Sequence, residues 1–558
     1  MSDTGEIVAR VYGSFKGVDF RGEETYMTRS PDSLNVWKDR RETESIRTRP
    51  GMKLKHSFDD TVYGVFFFKN TMLVHSGKHL YKVVGESISR IYTDLNQRNS
   101  DSFVYENVWY FKDGKHYLRY DGDTIGEVEG FVPTTSIARR PSGGGKIYED
   151  VNLLSSRRIN TFLADGKSKE FVLDSKYIDT DFSPIVKVND KVVSKYKVNY
   201  TKGIITFTTA PAAPLTDGQD NVSIEYKKEN PTYKDRILKC TLLQVFDNRV
   251  FFSGNKDFPN TVWHCSLDDP SYCSDLDYYH EGLDNAEIKG LVAGNNALWV
   301  FREPSQANTT VFYHTPTLDS EYGKIYPSQH SSVTTGCIGK AINFNDDIVF
   351  FSDRGMEGIS GDITTEQVLA HRSTLVDRKL IAEKDYKNMI LAEWEGYLLV
   401  FIGKSVYLAD SRAMFTNELH NEYEWLYWEL EKEITFATVY KGVLYLGTND
   451  GVYTLTDNKA DVESYWTTPL DKFKYPHKLK TTNKRGCVVE CTGDIDVYVR
   501  TNKEDWVMAG SYRNIEDAFV CRIKRKKFKD LQLKFHSTTR FSLETATLES
   551  FIGGYIKR

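Results

Sequence analysis

The chain has 558 residues, 40% hydrophobic and 27% charged, which is too long for one simple core and ordinary for a globular protein. Its formal charge of −5 and pI of about 6.2 exclude a protein that coats nucleic acid by bulk electrostatics. The 34 Tyr and 31 Phe against 8 Met favour β-structure, since aromatic side chains suit a pleated, half-buried surface.

The first residues, "MSDTGEIVAR", lack a charged region followed by an apolar core and are read as carrying no secretory signal. Next comes "MTRSPDSLNVWKDRRETESIRTRPGMK", residues 27–53, with seven Lys or Arg against four Asp or Glu and no apolar period. Pro31 and Pro50 bend it, and Leu34, Val36 and Trp37 offer one apolar side. We read residues 1–60 as an extended arm and first strands. The arm docks on the chain's own body or on a neighbour through Arg29, Pro31, Leu34, Trp37, Arg47, Arg49 and Pro50, its basic character complementing acidic protein surface.

From Tyr63 a unit repeats: "YGVFFFKNTMLVHSGKHLYKV", then "SFVYENVWYFKDGKHYLRYDG" from Ser102. Further copies begin near Leu242, Gly290, Ile342, Ile390 and Phe436. Each is an alternating apolar run, a polar turn with Asn, Asp or Gly, and a second run, the pattern of a β-meander. The last five copies start 46 to 52 residues apart, the spacing of four-stranded propeller blades. A closed ring buries both faces of each blade, which a single blade cannot do. The reading is all-β: a propeller of six to eight blades over 61–140 and 236–458, an inserted β-sandwich over 141–235, and a C-terminal β-domain over 459–558.

Tests for chemistry come back structural. "SGGGK", 142–146, lacks the spacing and following helix of a phosphate loop and reads as a linker. His264, Cys265, Cys273 and His280 lack the close pairing of zinc ligands. "SDRGMEG" and "TNDGVYTL" only approach the Asp-box turn of sialidases and read as β-turns. The seven scattered cysteines read as reduced thiols in a protein made in cytoplasm. No run of apolar residues is long enough to span a membrane, so no membrane insertion is expected. The run "RIKRKKFKD" places Arg522, Lys524, Arg525, Lys526, Lys527 and Lys529 together: a DNA groove, a charge-protected edge strand, or a contact to a neighbouring subunit. No catalytic constellation, metal site or cofactor site emerges, and no enzymatic activity is expected.

The order of four segments resembles a group of tailed-bacteriophage stabilisation proteins, akin to head-closure and tail-nozzle propellers. These are "GSFKGVDFRGEE…TRSPDSLNVWKD…IRTRPGMK" (13–53), "PTTSIARRPSGGGKIYEDVNLLSSRRINTF" (133–162), "GCIGKAINFNDDIVFFSDRGMEGIS" (336–360) and the closing "KRKKFKDLQLKFHS…LESFIGGYIKR". The resemblance implies a virion protein of the neck or tail, assembled in the host cytoplasm as a homo-oligomeric ring, a hexamer by preference. Its implied partners are portal, adaptor or tail proteins, with packaged double-stranded DNA passing through the lumen. The alternative is a carbohydrate- or receptor-binding propeller of a phage tail, supported by aromatics such as "EWLYWEL" at 424–430.

Overall fold

The computed structural model describes residues 6–39, 44–306, 309–320, 323–360, 368–417, 420–457, 462–523 and 527–556. Strands account for 55% of the described residues and helix for 2%, so the protein is all-β. It divides into two compact units, Met1–Asn99 with Ser332–Arg558, and Ser100–Ser331.

Each predicted meander is a four-stranded antiparallel sheet. The first unit holds four, spanning 62–93, 341–371, 390–429 and 436–456; the second holds three, spanning 101–127, 242–280 and 288–330. All seven make their first hairpin the same way. The two turn residues have positive φ: Lys69–Asn70, Glu106–Asn107, Asp247–Asn248, Asn295–Asn296, Asn345–Asp346, Glu395–Gly396 and Lys441–Gly442. That is the signature of a type I′ turn, whose twist matches the strands it joins, and it explains the Asn, Asp or Gly in every repeat.

The sheets pack face to face within each unit. In the first, Val65 and Val74 meet Val452, Leu399 and Leu408 meet Leu444, and Phe351 and Met356 meet Leu398 and Trp425. In the second, Phe103 and Tyr110 meet Phe252 and Trp263, while Phe251 and Val262 meet Leu298 and Val300. The sheet at 436–456 takes its fourth strand from the start of the chain, Gly51–Ser57 pairing antiparallel with Gly451–Thr456.

The segment between the second and third repeats forms two sheets, one of six strands and one of three, enclosing a core that includes Phe162, Phe171, Ile205 and Ile224. The larger sheet begins at Thr134, ahead of the boundary read from sequence, because Thr134–Arg139 pairs parallel with Arg157–Phe162.

Apart from two small two-stranded sheets, Gly17–Val18 with Arg29–Ser30 and Thr317–Asp319 with Gly323–Ile325, the remaining sheet is ten-stranded and uses both ends of the chain. Its strands are β1 (Ile7–Gly13), β2 (Ser33–Leu34), β3 (Val36–Trp37), β4 (Ile46–Thr48), β5 (Ser464–Thr467), β6 (Lys478–Thr501), β7 (Val507–Ile515), β8 (Ala518–Cys521), β9 (Leu531–Ser537) and β10 (Phe541–Tyr555). The main path runs β2-β5-β9-β6-β10-β4-β3; β1 pairs with β10, and β7 and β8 pair with β6. The path starts at β2 and ends at β3, and only Asn35 lies between those two strands. The arm therefore joins the two ends of the sheet. Tyr12, Trp466, Val489, Leu533 and Leu548 fill its core.

Candidate functional site: the N-terminal arm and the basic segment

Asn35 is the hub of the arm. It takes a positive φ of 55°, which asparagine tolerates better than most residues. Its amide nitrogen donates to the Tyr427 carbonyl at 3.1 Å, and its side chain Nδ2 donates to the Glu463 carbonyl at 2.9 Å. Its Oδ1 accepts from the Glu429 amide at 2.8 Å and from Arg49 Nε at 2.9 Å. One residue thus ties the arm to the 390–429 sheet and to the C-terminal strands.

Arg49 is buried, although the basic arm reads as surface-seeking. Its guanidinium also donates to the Pro50 and Glu429 carbonyls and to Glu431. Burial pulls its pKa below the ordinary value, and Glu431 partly offsets this. Arg29 forms a two-pronged bond to the Glu424 carboxylate, 2.7 and 2.9 Å, with both side chains almost fully buried. The Arg29 guanidinium lies 4.3 Å over the Phe415 ring.

Trp37 is buried, stacked on Trp394 at 5.3 Å and edge-on to Trp428 at 5.9 Å. The Trp428 indole donates to the Val36 carbonyl at 3.0 Å. Arg47 covers the Trp37 ring and pairs with Asp39. Leu34 sits in β2 opposite Tyr465. Pro31 lines an open cleft of about 600 Å³ with Phe20, Arg378 and Lys379. All seven arm residues singled out by sequence thus lie along one path on their own chain. The sequence reading missed the acceptors, Asn35 and Glu424; the one signal was an Asn set between the apolar Leu34 and Val36.

Of the basic segment, Arg522, Lys527 and Lys529 are exposed, while Lys524, Arg525 and Lys526 lie outside the described residues. The Lys529 backbone is pinned: its amide donates to Asn502 Oδ1 at 2.8 Å, and its carbonyl accepts from buried Lys480 at 2.7 Å.

The other motifs resolve as structure. Gly143, Gly144 and Gly145 all have positive φ and turn the chain into the edge strand Lys146–Ile147. A Cβ on Gly145 would stand 2.7 Å from the Ile137 carbonyl. Among the described residues no three His, Cys, Asp or Glu are grouped to hold a metal ion. His264 is buried, and its Nδ1 lies 3.0 Å from the Cys265 carbonyl; burial lowers its pKa to about 4. Burial pushes the Cys265 thiol up to about 12, so it stays protonated. In the two Asp-box-like stretches the Ser352 and Thr448 hydroxyls accept from the amides of Arg354 and Asp450, two residues on, an ordinary turn device. The aromatics of 424–430 are core: Trp425, Tyr427 and Trp428 are buried. They form no exposed platform for a sugar.

No family model matches the chain, and no curated protein does. Among solved structures it is similar to BamB from Moraxella catarrhalis at 11% identity and a TM-score of 0.32, covering 72% of this chain and 97% of that one. It is also similar to a gluconolactonase from Xanthomonas campestris at 10% identity and a TM-score of 0.25, covering 76% and 97%. Both are β-propeller proteins. A third, the computationally designed protein Ika8, is 10% identical with a TM-score of 0.31, covering 72% and 98%. Likenesses this distant carry no function across to the chain.

Proposed function

We propose that this chain is a structural subunit of a tailed-bacteriophage particle. In this reading its seven four-stranded sheets are the blades of one propeller, and copies assemble as a ring in the neck or tail that retains packaged DNA and channels it on ejection. The carrying observation is the arm. A basic, proline-bent segment closes the ends of the terminal sheet through Asn35 and is anchored by Arg29, Trp37 and Arg49 to the neighbouring 390–429 sheet. That fastening suits a part that bears load and turns over no substrate. The ordered resemblance at 13–53, 133–162, 336–360 and the C-terminus supports the same reading. A net charge of −5 suits a lumen through which DNA slides, because attraction to phosphates would stall it.

The test is to assemble particles without this chain and measure how much packaged DNA becomes accessible to nuclease. Leaky or empty particles are expected, with the chain located in the neck or tail of complete ones by electron microscopy. Particles that lack it yet hold their DNA and infect normally would overturn the reading.

A further inference from the structure

The terminal sheet carries a feature that its own fold does not use. Side chains on one face form a row across four strands: Val11 of β1, Thr547 of β10, Val488 of β6 and Val520 of β8 are successive cross-strand neighbours. The three valines are exposed, 59%, 40% and 50% respectively. A solvent face of an antiparallel sheet is ordinarily polar. Ile7 and Ala9 of β1 extend the exposed apolar side. The row ends at two strand edges, for among the described residues neither the far side of β1 nor that of β8 pairs with another strand.

Backbone direction makes these two edges complementary. β1, β10, β6 and β8 alternate in direction, so β8 runs opposite to β1. The Ile552 amide donates to the Glu6 carbonyl directly across from it. By the alternation of an antiparallel ladder, the amide and carbonyl of Ile7, Ala9 and Val11 then point away from β10. The Cys491 amide donates to the Asp517 carbonyl across from it, so by the same alternation those of Val520 point away from β6. The Val520 carbonyl is held only by a long bond, 3.4 Å, from the Tyr512 hydroxyl. Val11 and Val520 therefore share a side-chain face and turn their backbone amides and carbonyls to opposite edges of the sheet.

We propose that β8 of one copy pairs antiparallel with β1 of a second copy of this chain, Val520 opposite Val11. This rests on the ring reading above and names the surface that builds it. The pairing continues the valine row from copy to copy. It is head-to-tail, so repeating it gives a closed ring when the rotation permits. It also satisfies two exposed strand edges that would otherwise template aggregation. Charge agrees: Arg522, exposed two residues beyond Val520, comes opposite Ala9, whose cross-strand neighbour is Glu549, and the exposed Glu6 stands immediately before β1. Arg522 is then a subunit contact, set against Glu549 and Glu6 of the second copy.

The experiment uses the full chain with Val11→Cys and Val520→Cys together, oxidised under mild conditions. All seven native cysteines are buried. A hydrogen-bonded antiparallel pair has Cα atoms about 5.5 Å apart, within disulfide range. The expected result is a ladder of covalent multimers in the double variant and none in either single variant. Separately, Val11→Lys or Val520→Lys should weaken self-association in sedimentation by roughly tenfold or more while leaving the melting temperature unchanged. A ring that forms without cross-links, and that both lysine variants leave intact, overturns this interface but leaves the ring reading standing. Cross-links in a single variant would show a two-fold contact in its place, and a chain that stays monomeric at high concentration would sink the pairing.

Discussion

Two residues show how the fold uses charge inside. Arg29 and Glu424 face each other with almost no water around them. Removing one partner from such a pair leaves a bare charge in a poor solvent, which costs about 3–5 kcal/mol. Arg29→Ala should therefore lower the urea-unfolding free energy of the first unit by that order, and a loss below about 1 kcal/mol would show that the site rehydrates. His371 lies between Asp377, 2.6 Å from Nε2, and Glu357, 3.2 Å from Nδ1. Burial pulls its pKa down, but the bonds to both carboxylates outweigh this and raise it to about 10. With a folded value above the ordinary 6.5 or so, the contribution is fully present below that value and is lost as pH rises through about 10. The stability gap between the protein and His371→Gln should be constant below pH 6 and shrink towards pH 10; a gap that widens with pH would refute the assignment. Neither partner set was legible in the sequence: Arg29 and Glu424 stand 395 positions apart, and His371 meets Glu357 only because their strands pair in that register.

At the scale of elements, the hairpin turns carry the regularity. Period-two alternation gave the strands, and the polar dipeptides gave the turns, because only a few residue types tolerate positive φ in succession. Asn296, exposed at φ 56°, is a clean probe. Asn296→Val should destabilise by roughly 1–2 kcal/mol, the cost of a left-handed L-residue, whereas Asn296→Gly should be close to neutral. Chemical denaturation of the two variants side by side decides this, and equal effects would mean that the turn relaxes. The arm's strands were less legible. β2 and β3 have two residues each, too short to show any period. Only their pairing with β5 and β4 makes them strands.

At the scale of the whole molecule, sheets close across long stretches of sequence. Gly51–Ser57 completes a sheet whose other strands begin at Phe436, and β1 pairs with the last strand, β10. By contrast, the two sheets between Thr134 and Lys227 share a core of their own. Their limits are tied together by bonds from the Ile159 amide to the Pro133 carbonyl and from the Lys228 amide to the Ser156 carbonyl. A fragment of residues 132–230 should fold alone, with a cooperative thermal transition and dispersed amide resonances. A fragment with neither would show that it needs the rest of its unit.

The all-β class, the seven repeats and their turns were determined by sequence alone, because alternation and left-handed turn residues are local properties that a short window records. Tertiary structure alone decided that the arm is internal, that Asn35 joins the ends of one sheet, that buried guanidiniums find carboxylates hundreds of residues away, and that three valines line up on an exposed face. Each of these depends on which strands become neighbours, and strand neighbours are chosen by the packing of the whole chain.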